Sequence, residues 1–238
     1  MSAESETPPR SLAAVLGDLY LAPGEAFAEL ARHPRPAPAM LGFLLVQAGF
    51  MAIWLTKVDM LQFVRAQAEA AGRPGPPAGA FDSSAMSTLK WITGVSGVAM
   101  SQIVLLVCAG LLLFLFNFVL GSGVRFRQCL SVVAWTALPT SLVSTTLVLL
   151  VMTLRGEWNL SPEQVVQANL GVFAERASAG AFLHSLAGSL DVFSFWLMFL
   201  TTIGMAKVAK VSTGASAAVI VGLWLLYVLV KAALVAAF

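Results

Sequence analysis

The stretch FRQCLSVVAWTALPTSLVSTTLVLLVM, residues 126–152, contains one basic residue and no acidic residue. Its length suits a membrane-crossing helix, which needs about 17–25 mostly apolar residues. The whole chain has the same character, since 58% of its 238 residues are apolar and 11% are charged. Soluble domains carry about 25% charged residues. We therefore predict an integral membrane protein.

Four further apolar runs are long enough to cross a bilayer. The second and third runs exceed the minimum length, so we expect tilt or a turn outside the membrane at their ends. We predict an all-α polytopic membrane protein, with five transmembrane helices making up a domain of residues 39–238. The predicted spans are residues 40–56, 91–120, 126–152, 183–206 and 215–237.

The loops between these spans indicate an orientation. GSGVRFR (residues 121–127) and AKVAKVSTG (residues 206–214) are short, and each contains two basic residues. Short loops rich in lysine and arginine stay in the cytoplasm. We therefore predict a cytoplasmic N-terminus and, after five crossings, a C-terminus on the outer side.

The two long loops contain helical patterns of their own. VDMLQFVRAQAEA, residues 58–70, is expected to continue the first span as a helix beyond the membrane. SPEQ, residues 161–164, predicts a helix start with Ser161 as N-cap and Pro162 at the first helical position.

Residues 1–38 form a polar arm with two short apolar stripes at helical spacing. They are Leu12, Val15, Leu16 and Leu19 before Pro23, and Phe27, Leu30 and Ala31 after it. Pro34 must end the second helix at about His33. The pattern predicts a short amphipathic helical arm in the cytoplasmic interface, packed beneath the bundle. The alternative is a disordered arm with chance periodicity.

Asp191 and Lys231 are ionisable residues inside predicted spans, where a charge needs a partner or a function. Asp191 lies sixteen residues before Lys207, and Lys231 lies fifteen residues after Ser216. Both therefore lie about 23 Å from the inner ends of adjacent helices. This common depth predicts an Asp191–Lys231 ion pair. In the alternative, Asp191 caps a helix start while Lys231 extends alone toward the outer interface.

Pro139 lies in the middle of the third span and frees a backbone carbonyl one turn earlier. Hydroxyl side chains follow it, and hydroxyls can satisfy such groups and let helices approach closely. The pattern predicts a kinked, polar-lined span that serves tight packing. A ligand groove or a hinge is the functional alternative. The hydroxyl residues are Thr140, Ser141, Ser144, Thr145 and Thr146.

Two motifs resemble signatures of the Yip1 family of five-span membrane proteins. DLYLAP (Asp18–Pro23) resembles its DLYGP-like signature, and VAWTALP (Val133–Pro139) resembles the signature of its third span. Leu21 replaces a glycine and Trp135 stands near a tyrosine of the eukaryotic pattern, which suggests a bacterial branch. The residues that match the motifs and the turn between spans two and three are Asp18, Leu19, Tyr20, Pro23, Gly121, Gly123, Trp135 and Pro139.

The resemblance implies a non-enzymatic protein that organises membranes or acts as an adaptor through helix–helix contacts. Its partners would be the lipid bilayer, other membrane proteins and further copies of itself as a homo-oligomer, in a bacterial inner membrane. No cofactor, metal or nucleic acid is expected, and the net charge of +2 is too small to indicate nucleic acid. A small transporter or permease subunit is the alternative. A water-filled cavity beside Pro139 would favour transport, and a solid core would favour the adaptor.

A more remote alternative is an intramembrane serine protease of the rhomboid type. GVSG (Gly94–Gly97) matches its GxSG pattern, and Ser96 and His184 would lie at a common depth. The chain has fewer predicted spans than a rhomboid, and small residues at this spacing also serve helix packing.

Overall fold

The computed structural model of the protein describes residues 10–70, 72–77, 82–160, 165–166, 169–173 and 176–237. Within these residues the chain forms nine α-helices, one short 3-10 helix (Leu170–Phe173) and no strand. Residues 1–9 of the predicted arm and the helix start predicted at 161–164 lie outside this set. The α-helices are α1 (Leu12–Leu21), α2 (Pro23–Arg32), α3 (Pro36–Lys57), α4 (Met60–Ala70), α5 (Ser83–Leu120), α6 (Phe126–Arg155), α7 (Arg176–Gly188), α8 (Val192–Ala209) and α9 (Thr213–Ala237).

Five of these helices, α3, α5, α6, α8 and α9, are long and apolar enough to cross a membrane. The predicted all-α fold with five spans is therefore confirmed. Helix α5 has 38 residues and a length of about 57 Å, whereas the hydrocarbon core is about 30 Å thick. Large apolar side chains such as Trp91 and Phe118 are more than two-thirds exposed, as expected for surfaces that contact lipid.

The fourth span begins later than predicted. Residues 183–206 were expected to form one helix, but α7 ends at Gly188 and α8 begins at Val192. Asp191 caps the start of α8, because its carboxylate accepts bonds from the Ser194 backbone N–H (2.9 Å) and hydroxyl (2.5 Å). Asp191 thus lies at a helix end and not inside a span, and the interruption is invisible to a count of apolar residues.

The first span also ends before residues 58–70, which were expected to continue it as one helix. Helix α3 stops at Lys57, and α4 is a separate helix. The carboxylate of Asp59 accepts bonds from the N–H groups of Leu61 (3.0 Å) and Gln62 (3.1 Å). An aspartate in this position starts a new helix, so the break was readable from the sequence.

The two short helices predicted for the arm are confirmed as α1 and α2. The Ser11 hydroxyl accepts a bond from the Ala14 N–H at 3.2 Å and so caps α1. Pro23 is the first residue of α2, where its missing N–H costs nothing. Helix α2 ends at Arg32, directly before His33 and the proline that follows.

The described chain divides into two compact units, each assembled from segments of several helices. The first unit comprises the described residues of Met1–Leu41, Leu105–Pro139 and Phe195–Tyr227, and the second comprises those of Gly42–Val104, Thr140–Ser194 and Val228–Phe238.

Each unit has its own buried core. In the first unit, every residue of α6 from Cys129 to Pro139 is buried, and Phe27 of the arm is also fully buried. A helix buried on all faces has no face left for solvent or lipid. The core of the second unit is formed by Trp54, Val58, Met60, Val148, Met152 and Val165.

Candidate functional site

Tyr20, in the first of the two signature-like motifs, contacts the end of the second. Its hydroxyl donates a hydrogen bond to the carbonyl of Pro139 at 3.0 Å. Its ring packs on Trp196 with a centroid distance of 5.7 Å. Partial burial raises the pKa of the Tyr20 phenol, since desolvation disfavours the charged form. The two motifs are therefore parts of one packed site, which we call the arm-docking site.

Trp135 fixes the segment between α2 and α3 to the same site. Its indole N–H donates to the carbonyl of Arg35 at 2.8 Å, and the Arg35 backbone N–H donates to the Ser131 hydroxyl at 3.3 Å. Trp135 is 2% exposed, so its one donor needs this partner. The polar groups of α6 thereby hold the chain that leaves the arm.

Phe27 packs against a glycine of α8. A Cβ placed on Gly204 would lie 2.9 Å from Phe27 Cδ1 and 2.6 Å from Val132 Cγ1. Real Cβ atoms do not approach other heavy atoms so closely. Gly204 is therefore a shape requirement of the arm-docking site, and sequence reasoning did not find it because the contact is not local.

The docked arm also buries one carboxylate. Glu29 is 5% exposed, and its side chain accepts a bond from the Arg10 backbone N–H at 3.4 Å and lies 3.3 Å from the Arg32 guanidinium. The Arg10 guanidinium lies 2.6 Å from the Asp18 carboxylate, and bonds to Asp18 and Glu25 raise the pKa of Arg10. Asp18 thus orients Arg10, while the buried charge of Glu29 is compensated as burial requires.

The remaining motif residues have structural positions that their chemistry explains. Leu19 is buried on the inner face of α1. Gly121 and Gly123 adopt φ angles of 60° and 69°, in the region that favours glycine. Asn117 closes this turn, accepting from the Val124 N–H at 2.8 Å and donating to its carbonyl at 3.0 Å.

The second unit contains a cavity of about 400 Å³. Its lining is part polar and part apolar, and one of its lining residues is ionisable. Among the residues that the structure describes, no three His, Cys, Asp or Glu side chains form a group that could hold a metal. The polar lining residues are Gln47, Ser141, Ser144, Thr145, Asn169 and Asp191. The remaining lining residues are Phe43, Phe50, Val148, Val166, Gly188 and Phe193.

The Yip1 domain matches residues 17–235, which include both signature-like motifs and all five spans except the last two residues of α9. The chain belongs to the Yip1 family. No curated protein and no solved structure matches it.

The prediction of an Asp191–Lys231 ion pair in this Yip1 protein is wrong. Within the described part of the second unit, Asp191 bonds Ser194, while the Lys231 ammonium donates to the Ser189 hydroxyl at 3.3 Å. Asp191 and Lys231 do lie near the same loop, as their common depth predicted. The carboxylate caps α8 instead, because its positive N-terminal end attracts an anion. The alternative role of Asp191 as a helix cap is confirmed.

The serine of the GVSG motif has a local bond in this Yip1 protein. The Ser96 hydroxyl donates to the Thr93 carbonyl of its own helix at 3.4 Å. A Cβ on Gly94 would lie 2.6 Å from Leu55 Cδ1, and one on Gly97 would lie 3.0 Å from Met51 Cε. The two glycines therefore let α3 approach α5, which is the packing role that small residues have in membrane helices.

Proposed function

We propose that this Yip1 protein is a non-enzymatic adaptor or organiser of membrane proteins, acting through helix–helix contacts. Its partners are other membrane proteins and further copies of itself. We place it in a bacterial inner membrane, with the N-terminus in the cytoplasm and the C-terminus outside. Reporter fusions at the two termini test this orientation, and activity of both on one side of the membrane would refute it.

The packed inner part of α6 is the observation that supports an adaptor. Every residue from Cys129 to Pro139 is buried, and both hydroxyls in this stretch, Ser131 and Thr136, are buried with it. Tyr20 and Trp135 bond the arm and its linker to this segment. A close-packed interior holds a surface in one shape, which is what an adaptor needs.

The exposure of Leu21 indicates that the arm is part of that surface. It is 88% exposed at the end of α1, directly after the docked Tyr20. An exposed apolar side chain on a fixed helix can contact lipid or a partner helix. Leu19, two residues earlier on the same helix, is 1% exposed and offers a matched control.

Photo-crosslinking in native membranes tests the adaptor. A photoreactive amino acid at Leu21 should give discrete adducts of this chain with a second membrane protein or a second copy. The same amino acid at Leu19 should react only within the chain. The adaptor role of the arm is contradicted if Leu21 gives adducts with lipid alone.

The cavity of the second unit favours transport as the second candidate. Its polar lining includes Ser141, which follows Pro139 closely in the sequence, and a cavity beside Pro139 is what transport was expected to require. A Ser144→Cys variant, with Cys108 and Cys129 replaced by alanine, tests it with a membrane-impermeant maleimide. Labelling from both sides of the membrane supports alternating access, whereas labelling from one side refutes transport.

A further inference from the structure

We infer that the cavity of the second unit binds a ligand with an organic ammonium group. The inference concerns binding alone and holds whether the protein is an adaptor or a transporter. Asp191 is the ionisable residue among those that line the cavity. The neighbouring cation, Lys231, is bonded to Ser189 and does not line the cavity. The carboxylate therefore faces this space without an ion-pair partner among the described residues.

The Asp191 carboxylate has capacity left for a ligand. Each of its oxygens accepts one bond from Ser194, and an ionised carboxylate offers about four acceptor sites. Gln47 and Thr145, which also line the cavity, add neutral oxygen acceptors. An ammonium group, with three N–H donors, would donate hydrogen bonds to the carboxylate and to these neutral oxygens.

Aromatic rings make up much of the apolar wall of the cavity. Phe43, Phe50 and Phe193 line it together with Asp191. The faces of aromatic rings attract cations, and ligand ammonium groups are recognised in this way. A carboxylate and phenylalanines in one cavity therefore suit a cationic group that carries carbon substituents.

The size and lining of the cavity argue against a bare metal ion. Calcium takes 6–8 oxygen ligands, several of them usually carboxylates, and the lining offers one carboxylate beside five neutral polar side chains. A volume of about 400 Å³ lies within the range of small-molecule sites. An amine with a short carbon body fits these dimensions, and it has two sources: a free soluble amine or the headgroup of an aminophospholipid.

Ligand binding to the purified full-length protein in nanodiscs tests the inference. Free ethanolamine is titrated by calorimetry, with ethylene glycol as the uncharged analogue. Phosphatidylethanolamine retention is measured by native mass spectrometry against phosphatidylglycerol. We expect at least a tenfold preference for the amine over its control in one of these two measurements. The measurement that shows the preference identifies the source of the amine.

Asp191→Asn is the decisive variant, because asparagine caps helices about as well as aspartate and has no negative charge. Asp82 gives the matched control, since its carboxylate also caps a helix, accepting from the Ala85 N–H (2.7 Å) and the Ser84 hydroxyl (2.9 Å). We expect Asp191→Asn to weaken amine binding at least tenfold and Asp82→Asn to leave it unchanged. Equal amine binding by wild type and Asp191→Asn, or no preference for the amine in either measurement, would overturn the inference.

Discussion

A single methyl group at Gly204 should loosen the docked arm. In Gly204→Ala the new Cβ would lie 2.9 Å from Phe27 Cδ1 and 2.6 Å from Val132 Cγ1, whereas ordinary contacts begin at 3.4 Å. The side chains must therefore separate by 0.5 Å (3.4 − 2.9) and 0.8 Å (3.4 − 2.6). Val132 belongs to the buried part of α6, whereas Phe27 belongs to the separate arm, so the contact with Phe27 is the one that a movement of the arm relieves.

The size of the effect follows from the cost of overpacking. Inserting a methyl group into a packed core costs about 1–3 kcal/mol. Since about 1.4 kcal/mol corresponds to a factor of ten, the population of undocked arm should rise about 5- to 150-fold. Phe27→Leu in the Gly204→Ala background should recover part of the loss, because the two changes affect one contact.

Trypsin cleavage after Arg32 measures the undocked population in detergent. This bond lies at the end of α2, and cleavage follows the open population when the arm closes faster than the protease cuts. Gly110→Ala is the matched control, since a Cβ there meets nothing within 4 Å. If Gly204→Ala is cleaved no faster than Gly110→Ala, the shape argument for the arm-docking site is refuted.

Four further outcomes are expected. Tyr20→Phe removes one hydrogen bond, worth about 1 kcal/mol, and should raise the same cleavage rate about fivefold. Because the pKa of Tyr20 is raised from its ordinary value of 10.0, docking should be intact below pH 10.0 and weaken as the pH rises through the folded-state pKa. The cleavage rate should therefore increase over this pH range in wild type and not in Tyr20→Phe. Lys90→Met removes the ammonium that bonds the carbonyls of Val58, directly after α3, at 2.9 Å and of Leu55, in its last turn, at 3.4 Å. It should lower the melting temperature, whereas Lys57→Met, in the exposed last turn of α3, should not. Asp191→Asn and Lys231→Met should be additive within about 0.5 kcal/mol in denaturant unfolding, and a larger coupling would contradict the absence of an ion pair.

Local signals predicted most of the fold. The apolar runs identified five spans, and Pro23 and Pro34 identified the junction and the end of the arm helices. These features are local, because hydropathy and proline act within a few residues of the chain. The start of the fourth span was also readable, since Asp191 precedes Ser194 at capping distance. The apolar run placed this start at residue 183, whereas the alternative role of Asp191 as a helix cap gives the start that the structure has.

The contacts of the arm-docking site could not be predicted in the same way. Tyr20 and Pro139 are 119 residues apart, and Gly204 appears in the sequence as one small residue in an apolar helix. Glu29 lies off the apolar stripe of α2, so periodicity predicts exposure, but nearby cations let it be buried. Each of these depends on which helices meet, which a single sequence does not state.

The family signatures and the proposed ligand site depend on different residues. Tyr20, Trp135 and Pro139 belong to the first unit, where they hold the arm against a solid core. The cavity and its carboxylate, Asp191, belong to the second unit. The motif residues therefore account for the docked arm and leave the ligand open, since function is set by sites and not by the fold that carries them. A Yip1 protein with the same arm and a neutral residue in place of Asp191 should dock its arm normally and bind no amine.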